Sequence, residues 1–164
     1  MNNNNSVDVS LLTPRMRGLY TLFLQEMDKA CLRFRLTSVA RDYRTQVALY
    51  AQGREAIHIV NAYRLAASMI PLVRVSENVK VTWTLNSLHV IRLDDQELVN
   101  NFSRAFDIVL YNSDGRATYD IKVDANQSSG PDYDEAGSIG EFVGLKWGGR
   151  FKNPDKPHFQ DPYF

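Results

Sequence analysis

Apolar and polar positions along this chain sort into segments of differing period. Residues 1 to about 12, opening MNNNNSVDVS, are polar and are expected to form a flexible N-terminal arm ahead of a single domain over 13–164. Thr13 followed by Pro14 has the chemistry of an N-cap with proline at the first helical position. The stretch that follows spaces Leu19, Leu22, Phe23, Met27, Ala30 and Cys31 by helical intervals, which predicts one apolar helix face. RFRLTSVA alternates and ends β-branched, as a short strand does. RTQVALYAQG reads as a helix stopped at Gly53, and REAIHIVNAYRLAASMI as a second stopped at Pro71. VKVTWTL alternates as a strand, whereas AFDIVLY is a nearly continuous apolar run, the pattern of a strand covered on both faces. A weak late helix in DYDEAGSIGEFVGLKW ends before Gly148-Gly149. Helices around a few strands, without a regular βαβ rhythm, predict an α+β fold.

Composition narrows the function classes. At 164 residues, 44% of them hydrophobic, the chain can bury a core without disulfides. Its 19 basic and 19 acidic residues cancel, so no global field attracts nucleic acid or an anionic membrane. Cys31 is the only cysteine, which removes an internal disulfide and a cysteine-based zinc cluster. No run of about 18 apolar residues could span a bilayer, and the first residues lack the basic and apolar regions of a signal peptide. The expectation is a soluble monomer made in the cytoplasm.

The tail GGRFKNPDKPHFQDPYF places Asp155 three residues before His158, among aromatics that would pack rather than fray. Of the other histidines, His58 sits mid-helix among aliphatic neighbours, while His89 follows WTLNSL where the chain leaves a predicted strand. Two histidines and a carboxylate, with water in the fourth position, are a recurrent ligand set for catalytic zinc. Asp107 is the best carboxylate because it interrupts an apolar strand, where an ionised group is costly unless paired or metal-bound. Asp155 is near enough to share such a site without ligating. The same residues also fit a histidine hydrogen-bonded at a strand end and an Asp107 paired with Arg41 or Arg104, and chemistry alone leaves both readings open.

SVARDYRTQVALYAQGR, TLNSLH, SRAFDIVLY and GLKWGGRFKNPDKPHFQ, in that order, resemble the blocks of the peptidase M15 family, most closely phage endolysins that cut peptidoglycan between L-Ala and D-Glu. Ser87 and His89 match a Ser-x-His motif, Ala105 and Asp107 the Ala-x-Asp of the next, and Trp147, Gly148, Gly149, Asp155 and His158 the last. The resemblance implies a Hedgehog/DD-peptidase-like zinc peptidase fold with a small antiparallel sheet flanked by helices. It also implies Zn²⁺ on His89, Asp107 and His158, with Asp155 as general base, Arg44 in the cleft and Ser87 hydrogen-bonding near the metal. The implied substrate is the peptidoglycan stem peptide. An endolysin of this kind would wait in the host cytoplasm until another protein permeabilises the membrane.

One departure stands out. The family sets a short spacing between the liganding His and Asp, but here VIRLDDQELVNNF intervenes, Asn100 stands where a His would keep that spacing, and Ser103 replaces a glycine. The extra residues read as an inserted loop at about 90–102, in which Asp94 and Asp95 are alternative ligands. Other readings are a D,D- or L,D-carboxypeptidase or dipeptidase with the same zinc site, and a non-catalytic wall-binding module on the same fold.

Overall fold

The computed structural model describes residues 5–91 and 102–164, so most of the expected inserted loop, with Asp94, Asp95 and Asn100, lies outside the described residues. The fold is α+β, as the sequence predicts. Helix α1 (Pro14–Lys29) starts where Thr13 caps it, its side chain accepting from the Met16 amide. The face that α1 buries differs from the expected stripe: Met16, Tyr20, Phe23 and Met27 are buried, whereas Leu22 and Cys31 are exposed. Both stripes have helical spacing, and the position of the sheet decides between them.

The sheet runs β1 (Phe34–Ser38), β2 (Ala105–Tyr111), β5 (His158–Gln160), β4 (Lys146–Trp147), all antiparallel, with β3 (Ala117–Thr118) pairing the far end of β2. Successive side chains of a strand point to opposite faces. Phe106, Ile108 and Leu110 of β2 and Phe159 of β5 therefore enter one core, against α1 and α4 (Asp132–Phe142). Phe106 and Phe159 stack with ring centroids 5.4 Å apart, and Phe23 of α1 lies 5.6 Å and 4.9 Å from them. The opposite parity sends Asp107, His158 and Gln160 to the other face. One aromatic layer thus fixes the register that brings Asp107 directly opposite His158.

Helices α2 (Tyr43–Ala51) and α3 (Ile57–Ala66) pack together. Gly53 ends the turn after α2 at φ +71°, and a Cβ there would collide with the Lys80 backbone. VKVTWTL, expected as a strand, joins no sheet among the described residues. Its polar groups are met by side chains of α2 and the following turn instead: Gln46 donates to the Thr84 carbonyl and Thr82 hydroxyl, and Arg54 to the Thr82 carbonyl. Val79, Val81 and Trp83 are exposed, so the alternation marks no buried face. Residues 5–12, expected as a flexible arm, lie along the domain. Ser6 exchanges backbone bonds with Ala40, and Leu12 is fully buried.

Phe106→Ala should remove the centre of the aromatic layer and cost about 3–5 kcal/mol, read from the urea midpoint.

Candidate metal centre

Three chain segments meet on the polar face of β2. Asp107 comes from the centre of the strand and His158 from its neighbour β5. His89 follows a turn held against the end of β1, where the Arg41 amide donates to the His89 carbonyl and the Ile91 amide to the Arg41 carbonyl. His89 Nε2 lies 3.1 Å from Asp107 Oδ1 and 3.3 Å from His158 Nδ1, and the last two atoms are 2.9 Å apart.

Proton placement decides what this triangle can hold. His89 Nδ1 lies 2.9 Å from the Val39 carbonyl, which only accepts, so Nδ1 carries the proton and Nε2 presents a lone pair. Gln160 Nε2 donates to the Phe164 carbonyl, which turns Gln160 Oε1 towards His158 Nε2 at 3.1 Å. His158 thus donates through Nε2 and points the lone pair of Nδ1 inward. In these tautomers two imidazole lone pairs and a carboxylate oxygen converge, an arrangement that a cation, or a proton in its place, satisfies. The donor set of His89, Asp107 and His158 fits a divalent metal, and outward bonds of this kind orient metal-ligating histidines.

Electrostatics follow from this crowding. Burial pushes the Asp107 carboxyl up, but His89 and His158 together outweigh it and hold the group well below the usual carboxylate range. Burial lowers His89. Burial also works against protonated His158, but the hydrogen bond to Asp107 raises it overall, as a proton takes the place of the cation.

The cleft over the triangle has a volume of about 230 Å³ and is lined by Arg41, Trp83, Ser87, Phe151, Asp155 and Gln160 as well as the triad. Asp155 stands at its rim on the turn between β4 and β5, and burial raises its carboxyl. That turn is tight: the amides of Phe151 and Asp155 both donate to the Gly148 carbonyl, and Trp147 Nε1 donates to the Lys156 carbonyl at 2.8 Å. A Cβ on Gly148 would collide with the Asp155 carbonyl and the His158 side chain.

The structure brings His89, Asp107, His158, Asp155 and Ser87 to one cleft. Ser87 accepts the His89 amide at 3.4 Å rather than bonding its ring. Arg44 is exposed on α2 and outside the cleft lining; the guanidinium in the cleft belongs to Arg41. Arg41 Nη2 lies 3.7 Å from Asp107 Oδ2 and 3.3 Å from Ser38 Oγ, and its buried Nε has no partner among the described residues. His58 is exposed on α3. Gln160 and the Val39 carbonyl were not singled out by sequence reasoning, whereas Arg41 was named there as a possible partner of Asp107, the contact it makes here. The period-2 pairing of His158 with Gln160 on one strand face is the signal that could have found Gln160. Ser103, in the place of the family's glycine, is buried and donates to the Val39 carbonyl at 2.6 Å, steadying the acceptor that orients His89.

A family model described as D-alanyl-D-alanine carboxypeptidase, of the M15 peptidases, matches residues 100–161, a segment that contains Asp107, Asp155 and His158 but not His89. Among solved structures, the crystal structure of the Serratia marcescens L-Ala D-Glu endopeptidase ChiX is similar, with a TM-score of 0.55 and 15% identity, covering 99% of this chain and 90% of that one. No curated protein matches the sequence. Among the described residues, no helix is long and apolar enough to cross a membrane.

Protons and metal compete for the same lone pairs, so metal affinity should fall as pH drops. Because the folded His158 pKa is raised, the loss should begin above about 6.5, the ordinary histidine value. Zinc titrations across pH would check this, and His158→Ala should abolish stoichiometric uptake.

Proposed function

The matched segment and the shared fold support an M15-family peptidase, and from that premise we propose that the chain is a zinc-dependent peptidoglycan endopeptidase cutting the L-Ala–D-Glu bond of the stem peptide. The observation that carries the metal-dependent part is the convergence of three donor atoms, from His89, Asp107 and His158, beside the Asp155 carboxylate in one cleft. Asn86, Ser87 and Leu88 line both this cleft and a second depression, which Tyr43 and Arg104 also line.

His89, Asp107 and His158 would hold Zn²⁺, which supplies Lewis acidity towards the scissile carbonyl and lowers the pKa of water. Asp155 takes the proton of the attacking water and returns it to the leaving amine. Arg41, which lines the cleft, donates to the carbonyl oxygen as negative charge grows on it. It stands in the cleft, where the resemblance had implied Arg44.

The description of the matched family model favours a second reading, carboxypeptidase activity on terminal D-Ala. Digestion of Gram-negative peptidoglycan, with and without chelator, followed by mass spectrometry of the fragments, separates the two. Chelator-sensitive cuts between L-Ala and D-Glu support the endopeptidase, loss of D-Ala alone supports the carboxypeptidase, and no cleavage with zinc supplied overturns both. In the cell we read the enzyme as a phage endolysin; failure to lyse cells whose membranes have been permeabilised would count against that role.

Asp155→Asn should keep zinc and lose about 10²–10⁴-fold in turnover. It should also remove the acid limb of the pH–rate profile that protonation of this carboxylate produces. Arg41→Met should lower kcat about 10²–10³-fold with zinc content unchanged, while Arg44→Met should stay near wild type.

A further inference from the structure

The loop between β3 and α4 has a feature the peptidase reading does not use. From Asp124, oxygen-bearing side chains recur at Asn126, Ser128, Asp132 and Glu135, with the Gly130 carbonyl between. These are positions 1, 3, 5, 9, 12 and 7 of a twelve-residue calcium loop that leads directly into a helix. The sixth position, a glycine in such loops because the backbone turns sharply there, is Ser129, and it adopts the same left-handed conformation at φ +75°.

The interior of the loop is gathered but unfinished. Glu135 Oε2 accepts from Asn126 Nδ2 and from Ser128 Oγ, both at 2.9 Å, so the twelfth position already faces the third and fifth. The Asp124 carboxylate accepts the Ser128 and Ser129 amides at 3.0 Å and 3.2 Å, closing the loop over its first position. Asp132 is the independent observation. It is 1% exposed, and its Oδ2 accepts the Ala125 amide at 2.9 Å, which turns the carboxylate back towards the start of the loop. Its Oδ1 is buried with no hydrogen-bond partner. A buried, unpartnered carboxylate oxygen is expensive unless something positive completes it. Burial raises the Asp132 carboxyl, and the Asp124 and Glu135 charges add to that rise. Asp134, at the intervening position, instead pairs outward with Lys156 at 2.7 Å.

We propose that residues 124–135 form a calcium site, with Asp124, Asn126, Ser128, the Gly130 carbonyl, Asp132 and Glu135 as oxygen donors. An all-oxygen set with three carboxylates selects a hard cation, in contrast to the imidazole-rich triangle in the cleft. The ion joins the loop to the first turn of α4. That helix lies directly beneath Trp147 and Phe159, leaving no space for a Cβ at Gly137 or Gly140, so calcium would stabilise the part of the fold that carries His158.

Calorimetric titration of the zinc-loaded full chain with Ca²⁺ tests the site, alongside Asp124→Asn, Glu135→Gln and His158→Ala variants. One ion per chain and a calcium-dependent rise in Tm are expected. Each loop substitution should weaken affinity about tenfold or more, since affinity follows ligand charge. His158→Ala should still bind calcium, which keeps this result separate from failure of the peptidase reading. Tb³⁺ luminescence in the wild type, displaced by Ca²⁺, gives a readout that does not depend on any variant folding. No binding up to about 10 mM, above the range of weak extracellular calcium modules, would overturn the site. So would calcium binding that survives both loop substitutions, or that disappears only in His158→Ala.

Discussion

Asp107 occupies the middle of the central strand, where an ionised carboxylate is tolerated only if neighbouring groups compensate it. Its Oδ1 faces two imidazoles and its Oδ2 faces Arg41. Each of those groups needs its own support. His89 needs the Val39 carbonyl, which Ser103 shares, and His158 needs Gln160, whose amide is fixed by the Phe164 carbonyl. The need to neutralise one charge inside a sheet thereby recruits β1, β5, the 87–91 turn and the tail into a single polar network.

The reverse face of the same strands supplies the precision. Period-2 alternation couples the two sides: a slip of one residue between β2 and β5 would unstack Phe106 from Phe159 and separate Asp107 from His158 together. The aromatic layer therefore does more than contribute burial. It forbids the registers in which the three donor atoms could not meet.

Much of this was legible in the sequence because the strong signals are local. Thr13-Pro14 starts a helix, AFDIVLY is a buried strand, and a chain with only three histidines limits the candidates for a nitrogen-based site. What escaped depended on relations between segments. VKVTWTL alternates like a strand, but its partners are the side chains of Gln46 and Arg54, and side-chain partners leave no period in the segment they support. Arg41 and Arg44 look equivalent in RDYR. Arg41 precedes the Asp42 cap, in extended chain bridged to the 89–91 segment, and so faces the sheet; Arg44 is one turn into α2 and faces solvent. The outward partners of the histidines were hidden for the same reason, since they are set by strand register and not by nearby residues.

The side-chain suspension of residues 81–84 has an evolutionary consequence. This stretch forms a wall of the cleft, yet Val81 and Trp83 are largely exposed and belong to no strand ladder. Replacing them disturbs neither the aromatic layer nor the donor triangle. Selection can therefore reshape this wall while the donor triangle is inherited intact, a separation between what is free to drift and what is not that is built into the way one loop is hung.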